Sequence, residues 1–144
     1  MKKLLVLFLS LSFLASCSED NEGEALIGVW IGQFQEVGGC SNNPDEIRTT
    51  NLRCTDATCY RLELNADGTY TYQQGTVREN GTYTGNFSAL TLCMDEEGEL
   101  QCTTFGIEEN TSATLFISTT LEATGCKTSI FFARRIVDDG SSES

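Results

Sequence analysis

Cysteine is the residue type with the most evident chemistry in this chain, since 7 of its 144 residues are cysteine and none is histidine. Six of the cysteines, spread from Cys40 to Cys126, form an even set, which in an exported chain indicates three disulfides. The seventh, Cys17, directly follows an apolar segment. Zinc is the alternative use of cysteine, but the chain has no histidine and no Cys-x-x-Cys pair. We therefore expect no metal and no other cofactor.

The N-terminal segment has the composition of an export signal. Lys2 and Lys3 precede an apolar run from Leu4 to Ala15 that is too short to span a bilayer stably. We expect residues 1–16 to be removed as a signal peptide, which takes the formal charge from −12 to about −14 because two lysines leave with it. So acidic a surface repels phosphate backbones, and the chain is not expected to bind nucleic acid.

The residues around the expected cleavage site, Leu14-Ala15-Ser16-Cys17, resemble the lipobox of bacterial lipoproteins. The resemblance implies cleavage before Cys17, whose sulfur would take a diacylglycerol and whose amine would usually take a third acyl chain such as palmitate. Two or three chains are needed to hold a domain at a membrane, because each buried methylene contributes about 0.8 kcal/mol and one chain anchors only marginally. The alternative is a plain secretory signal, with Cys17 in a disulfide.

Two further segments flank the expected domain. Residues 17–25 carry the acidic run from Ser18 to Glu24, which resembles the export tag of surface lipoproteins of the Bacteroidetes and is also typical of a flexible tether. Residues 137–144 are acidic and rich in serine, and we expect them to form a disordered tail. The expected location is the cell envelope, with a lipid anchor in the outer membrane and, if the tag acts, exposure at the cell surface.

The region between these segments, residues 26–136, alternates apolar and polar residues in short runs, which predicts an all-β domain. In the clearest run, 60–64, three apolar side chains share one face. Asn80-Gly81 predicts a two-residue hairpin turn, and Asn43-Pro44-Asp45-Glu46 predicts a helix start or a turn. The expected strands are 27–37, 60–64, 69–78, 82–86, 88–94, 101–107, 112–119 and 127–136.

Eight sequential strands in so short a chain predict an eight-stranded antiparallel up-and-down barrel, because closing the sheet removes its exposed edges. A β-sandwich is the alternative. Four motifs resemble the lipocalin-like domains of bacterial lipoproteins: Gly28-Val29-Trp30, Asp67-Gly68-Thr69-Tyr70, Gly81-Thr82-Tyr83 and Phe132-Ala133-Arg134-Arg135. The resemblance implies that Trp30 closes one end of the barrel and that Arg134 or Arg135 packs across it. It is incomplete, since residues 120–126 leave no room for the helix that precedes the last strand of a full lipocalin.

A closed barrel makes the disulfides predictable. Its first and last strands are antiparallel neighbours, so the barrel predicts a bridge between Cys40 and Cys126. The same register places Trp30 opposite Ile136. Arg134 then lies on the same face as Trp30, which favours it over Arg135 as the partner of the indole. A register that places Leu90 opposite Phe105 predicts a second bridge, Cys93–Cys102. Cys54 and Cys59 remain as the third pair. The alternative joins Cys40 to Cys54 and Cys59 to Cys126.

Two functions remain open, neither of them enzymatic, because the chain lacks histidine and the common catalytic motifs. The first is a barrel that binds a small apolar molecule. The second is a structural or interaction module with a filled barrel, which meets a protein or polymer through its loops. The side chains expected to line the interior, apart from Trp30, are Phe34, Tyr60, Leu62, Leu64, Tyr70, Tyr72, Leu90, Leu92 and Phe105.

Overall fold

The computed structural model describes residues 23–52 and 59–135. The expected signal peptide, Cys17, Cys54, Ile136 and the expected C-terminal tail lie outside these residues. A 3₁₀ turn, Glu24–Leu26, includes two residues that were expected in the tether. Nine strands follow: β1 (Gly28–Cys40), β2 (Asn43–Asn51), β3 (Tyr60–Leu64), β4 (Thr69–Gln74), β5 (Val77–Gly85), β6 (Ala89–Glu96), β7 (Glu99–Asn110), β8 (Thr114–Leu121) and β9 (Cys126–Arg134).

Eight of the strands form a closed antiparallel barrel. Strands β3 to β9 pair in sequence order, β3 pairs with the start of β1, and β9 pairs with β1 from Trp30 opposite Arg134 to Gly38 opposite Lys127. The predicted up-and-down barrel is therefore confirmed, and the β1–β9 pairing excludes a β-sandwich. The ninth strand, β2, pairs with the second half of β1, on the edge whose first half pairs with β3.

Strand β2 replaces the helix or turn predicted from Asn43-Pro44-Asp45-Glu46, and that prediction is wrong. The segment turns back on β1 and pairs with it from Cys40 opposite Asn43 to Phe34 opposite Asn51, so the sheet supplies the backbone hydrogen bonds that a helix would have made. All of β2 is exposed. Proline and charged side chains are typical of exposed edge strands, because they discourage pairing with other chains.

The predicted turn at Asn80-Gly81 is also wrong. These residues lie in the middle of β5, and the chain reverses instead at Gly75-Thr76, where Gly75 has a φ of 58°. Gly81 serves a packing role, since a Cβ atom there would collide with the carbonyl oxygen of Cys93 and lie 2.7 Å from the ring of Tyr70. The glycine therefore allows a close approach between strands rather than a turn.

The turn after β3 has the chemistry expected from Asn65-Ala66-Asp67-Gly68. The Asp67 carboxylate accepts hydrogen bonds from the Thr69 backbone N–H at 2.9 Å and from the Thr69 hydroxyl at 2.6 Å. These bonds, chiefly the one from the hydroxyl, hold the pKa of Asp67 below its usual value. Gly68 has a φ of 81°, which a residue without Cβ adopts readily. This turn positions β4 beside β3.

A β-bulge in β1 changes which side chains face the interior. Between Gly32 and Phe34 the register with β9 shifts by one residue, so that Gln33 is extra. Because side chains alternate along a strand, the shift reverses the alternation from that point onward. Phe34 therefore lies on the outer wall, opposite Phe131, whereas Gln35 lies opposite Ile130, which faces the interior.

Candidate functional site

One end of the barrel is closed by Trp30. The side chain is 0% exposed, and its indole N–H donates a hydrogen bond of 2.8 Å to the carbonyl oxygen of Leu26 in the 3₁₀ turn. Leu26 is itself fully buried. The buried polar group of the indole is thus satisfied, and the turn is tied across the end of the barrel.

The guanidinium of Arg134 packs on the indole of Trp30, with 4.2 Å between the guanidinium carbon and the ring centroid. It also donates hydrogen bonds of 2.6 Å to the carbonyl oxygens of Ala25 and Ile27, so it holds the 3₁₀ turn in place. Gly28 leaves room for this side chain, since a Cβ atom at that position would lie 2.7 Å from Arg134 Nη1. The arrangement combines a cation–π contact with backbone capping.

The register that places Arg134 here differs from the predicted one. If the register set by the Cys40–Cys126 bridge continued without interruption, Ile136 would lie opposite Trp30. Gly38, however, pairs with Lys127, which is one residue earlier in β9 than that register requires. The bulge in β1 adds a second shift of one residue. Arg134 therefore lies directly opposite Trp30. Two one-residue shifts cannot be predicted from the spacing of cysteines alone.

Beyond this closed end, the interior contains a cavity of about 180 Å³. Five described side chains of the core are at most 1% exposed and do not line the cavity: Leu26, Trp30, Leu64, Leu90 and Leu115. Gln101, which does line the cavity, is exposed, so the cavity communicates with solvent at the far end of the barrel. The described residues that line it are Leu62, Tyr70, Tyr72, Glu79, Leu92, Met94, Gln101, Thr103, Phe105, Ile117, Ile130 and Phe132.

Of the nine residues predicted to line the interior besides Trp30, eight face it, and only some of these line the cavity. Five of them line the cavity: Leu62, Tyr70, Tyr72, Leu92 and Phe105. Leu64 and Leu90 belong to the packed end, and Tyr60 packs edge-on against the ring of Tyr72 with centroids 5.8 Å apart. The structure thus brings most of the set to one interior, but only part of it to the cavity.

The prediction that Phe34 lines the interior is wrong. Because of the bulge in β1, its ring lies on the outer wall, where it stacks on Phe131 at a centroid distance of 5.1 Å and an interplanar angle of 8°. Phe116 extends the group, with its ring centroid 6.1 Å from that of Phe131. We call these three residues the outer aromatic cluster.

Seven of the described lining residues were not in the predicted set, and Glu79 is the one among them that carries a charge. The other six are Met94, Gln101, Thr103, Ile117, Ile130 and Phe132. Glu79 lies on β5 directly opposite Tyr72 on β4 and is half-buried. The misplaced turn at Asn80-Gly81 concealed it, because that turn ended the preceding strand at residue 78. The alternation of Val77, Glu79 and Gly81 would have placed Glu79 inside, if β5 had been recognised as a continuous strand.

The electrostatics of the cavity are dominated by burial and by the charge of Glu79. Burial raises the pKa of Tyr72 well above its usual value, and the neighbouring Tyr60 and Glu79 raise it further. The pKa of Tyr70 is raised in the same way, first by burial and then by the negative charge of Glu79. Both tyrosines are therefore neutral hydroxyls at physiological pH. Glu79 supplies the only carboxylate among the lining residues that the structure describes.

At the cavity end of the barrel, a disulfide joins Cys40 at the end of β1 to Cys126 at the start of the neighbouring β9, with their Cα atoms 3.9 Å apart. It joins the β1–β2 hairpin to the start of β9. A second bridge, Cys93–Cys102, links β6 to β7 with Leu90 opposite Phe105, which is the predicted register. Because Cys40 is bonded to Cys126, the alternative pairing through Cys40–Cys54 is excluded. Cys59 is disulfide-bonded, but Cys54 lies outside the described residues, so the third pairing stays a prediction.

No known protein family, no curated protein and no solved structure matches the chain. Within residues 23–52 and 59–135, no helix is long and apolar enough to cross a membrane. Disulfides of this kind form and persist in oxidising compartments, which indicates an exported protein.

Proposed function

We propose that this chain is an exported, lipid-anchored and non-enzymatic binding protein whose barrel holds a small, largely apolar molecule. The observation that supports this most strongly is the cavity of about 180 Å³ inside a barrel whose other end is tightly packed. A void lined mainly by aliphatic and aromatic side chains loses dispersion contacts when empty, so an apolar occupant of the right size stabilises it. The few polar groups of the lining would orient that occupant.

The size of the cavity limits the ligand. Drug-sized ligands occupy pockets of about 300–1,000 Å³, whereas an apolar cavity of about 150 Å³ accommodates a single benzene ring. The cavity of about 180 Å³ therefore suits one aromatic ring with a short chain, or a short aliphatic chain, rather than a lipid or a haem.

Binding of a small fragment tests this proposal, with Leu92→Trp as the variant that fills the cavity. The matched control is Thr91→Trp, because Thr91 is the adjacent residue on β6 and its hydroxyl contacts Thr104 on the outer face, 2.9 Å away. We expect toluene or indole to shift the methyl resonances of Leu62 and Ile117 saturably in the wild-type protein and in Thr91→Trp. Leu92→Trp should weaken binding at least about tenfold. Unsaturable or absent shifts in the wild-type protein would contradict the proposal.

Anchoring through Cys17 is a separate part of the proposal, supported by the likeness of Leu14-Ala15-Ser16-Cys17 to a lipobox. We expect cells that express the full chain to incorporate labelled palmitate into it and to retain it in the membrane fraction. Cys17→Ser removes the sulfur that would carry the diacylglycerol, so the label should be lost. Cys59→Ser, which removes a different cysteine, is the control and should keep the label. Equal labelling of wild type and Cys17→Ser would count against the anchor.

The outer aromatic cluster favours a second candidate function, that of an interaction module. Three phenylalanines on an outer wall, Phe34, Phe116 and Phe131, are only half-buried. Partly exposed aromatic clusters are enriched at surfaces that contact other molecules. A failure of all fragments to bind the barrel interior would favour this function over the first.

A further inference from the structure

Glu79 is an acidic side chain in an otherwise neutral and mostly apolar cavity. Its position on β5, opposite Tyr72, points it to the interior, where it joins Leu62, Phe105 and Ile117 in the lining. A half-buried carboxylate loses part of its hydration, and proteins usually compensate this loss with a cation or with hydrogen-bond donors.

No cation of the described chain performs this role. The ion pairs among residues 23–52 and 59–135 are Arg48 with Glu46, Arg61 with Glu63 and Lys127 with Glu108. Arg134 is engaged at the closed end, on Trp30 and two carbonyl oxygens. Among residues 23–52 and 59–135, neither lysine nor arginine lines the cavity. Glu79 therefore lacks a basic partner in the part of the chain that the structure describes.

The surroundings of Glu79 are suited to a ligand cation. Tyr70 and Tyr72 line the same cavity and present aromatic rings, which attract a cation through the negative potential of their faces. The formal net charge of −12 also raises the local concentration of cations around the protein. Beyond these residues the lining becomes apolar, through Leu62, Phe105 and Ile117.

We infer that the barrel binds a small primary amine, with its ammonium group at Glu79 and its apolar body toward Leu62 and Phe105. This inference rests on the proposed ligand-binding function and assigns the chemical class of the ligand. It requires a protonated nitrogen on a body of about one aromatic ring, which is the size that the cavity admits. An alcohol of the same shape lacks the charge, and a carboxylate is repelled.

A matched set of three probes tests the inference: 2-phenylethylamine, 2-phenylethanol and phenylacetate. They share a benzene ring and a short chain, and they differ mainly in charge. We expect NMR titration of the wild-type protein to give a dissociation constant at least about tenfold lower for the amine than for the alcohol, because charge-assisted hydrogen bonds are roughly twice as strong as neutral ones. Phenylacetate should bind more weakly than the alcohol.

Glu79→Gln keeps the shape of the side chain and removes its charge, and Glu96→Gln is the control. Glu96 is exposed, lies near the end of β6 and does not line the cavity, so both variants lose one negative charge from the same protein. Glu79→Gln should weaken amine binding at least about tenfold and leave alcohol binding within about twofold. Glu96→Gln should keep the preference for the amine. Thermal unfolding of both variants verifies that they are folded.

The outcomes separate this inference from the proposed function. Equal binding of amine and alcohol, tighter binding of the carboxylate, or an unchanged amine preference in Glu79→Gln overturns the amine inference while leaving the binding barrel intact. Absence of binding by all three probes overturns both.

Discussion

Replacing Trp30 with alanine is expected to lower the free energy of unfolding by about 3–5 kcal/mol, the range for truncating a large buried aromatic side chain. Trp30 is 0% exposed and supports both the Leu26 carbonyl and the Arg134 guanidinium. Truncation therefore removes packing, a hydrogen bond and a cation–π contact together. Urea denaturation followed by tyrosine fluorescence and circular dichroism measures the change.

Two control variants separate these contributions. Trp30→Phe keeps an aromatic ring beneath Arg134 but loses the indole N–H, so we expect a smaller loss, about 1–2 kcal/mol. Phe87→Ala removes an aromatic side chain that is 59% exposed, and the expected change is within about 0.5 kcal/mol. A Trp30→Ala loss as small as that of Phe87→Ala would show that Trp30 does not close the barrel.

Removing the Cys40–Cys126 bridge in the double variant Cys40→Ala/Cys126→Ala is expected to destabilise the protein by about 4–5 kcal/mol. The bridged residues are 86 apart in the sequence, and the loop-entropy relation assigns a large effect to a loop of that length. The bridge also fixes the ends of β1 and β9, the two strands that close the barrel. Urea denaturation under non-reducing conditions measures the difference.

The Cys93–Cys102 bridge provides the matched control, since its cysteines are only 9 residues apart in a single hairpin. The same relation gives about 2.5–3 kcal/mol for Cys93→Ala/Cys102→Ala, and the smaller effect follows from loop length alone. An equal or larger loss in the hairpin variant would contradict the view that Cys40–Cys126 acts by closing a long loop.

Barrel closure and both described bridges could be predicted from the sequence because each depends on features of low ambiguity. The alternation of short apolar runs gives eight strands, and sequential pairing of eight strands makes the first and last neighbours. Cys93 and Cys102 flank one short turn, so a single register satisfies both the bridge and the placement of Leu90 opposite Phe105. The local turn and the overall barrel topology therefore favour the same strand register and the same disulfide pairs.

The failures occur where one residue changes the geometry of a strand. Asn80-Gly81 has the chemistry of a hairpin turn, but Gly81 is needed for close packing against Cys93 and the turn occurs at Gly75 instead. The bulge after Gly32 moves Phe34 to the outer wall, and together with the one-residue shift at Gly38 it brings Arg134 opposite Trp30. Propensity and spacing do not encode such one-residue changes, because packing across the closed barrel decides them.

The same limits explain why the candidate site was predicted only in part. Leu62, Tyr70 and Tyr72 alternate regularly on β3 and β4, so their inward orientation follows from the sequence. Glu79 does not, because its orientation depends on the true position of the preceding turn. The residue on which the inferred preference for an amine rests therefore became visible only in the structure.

The most direct test of a ligand-binding barrel is to locate a bound fragment by intermolecular NOEs in the protein saturated with indole. A ligand in the cavity should give NOEs to the side chains of Leu62, Phe105 and Ile117, which line it. A ligand that instead gives NOEs only to Phe34 and Phe131, on the outer wall, would contradict binding inside the barrel.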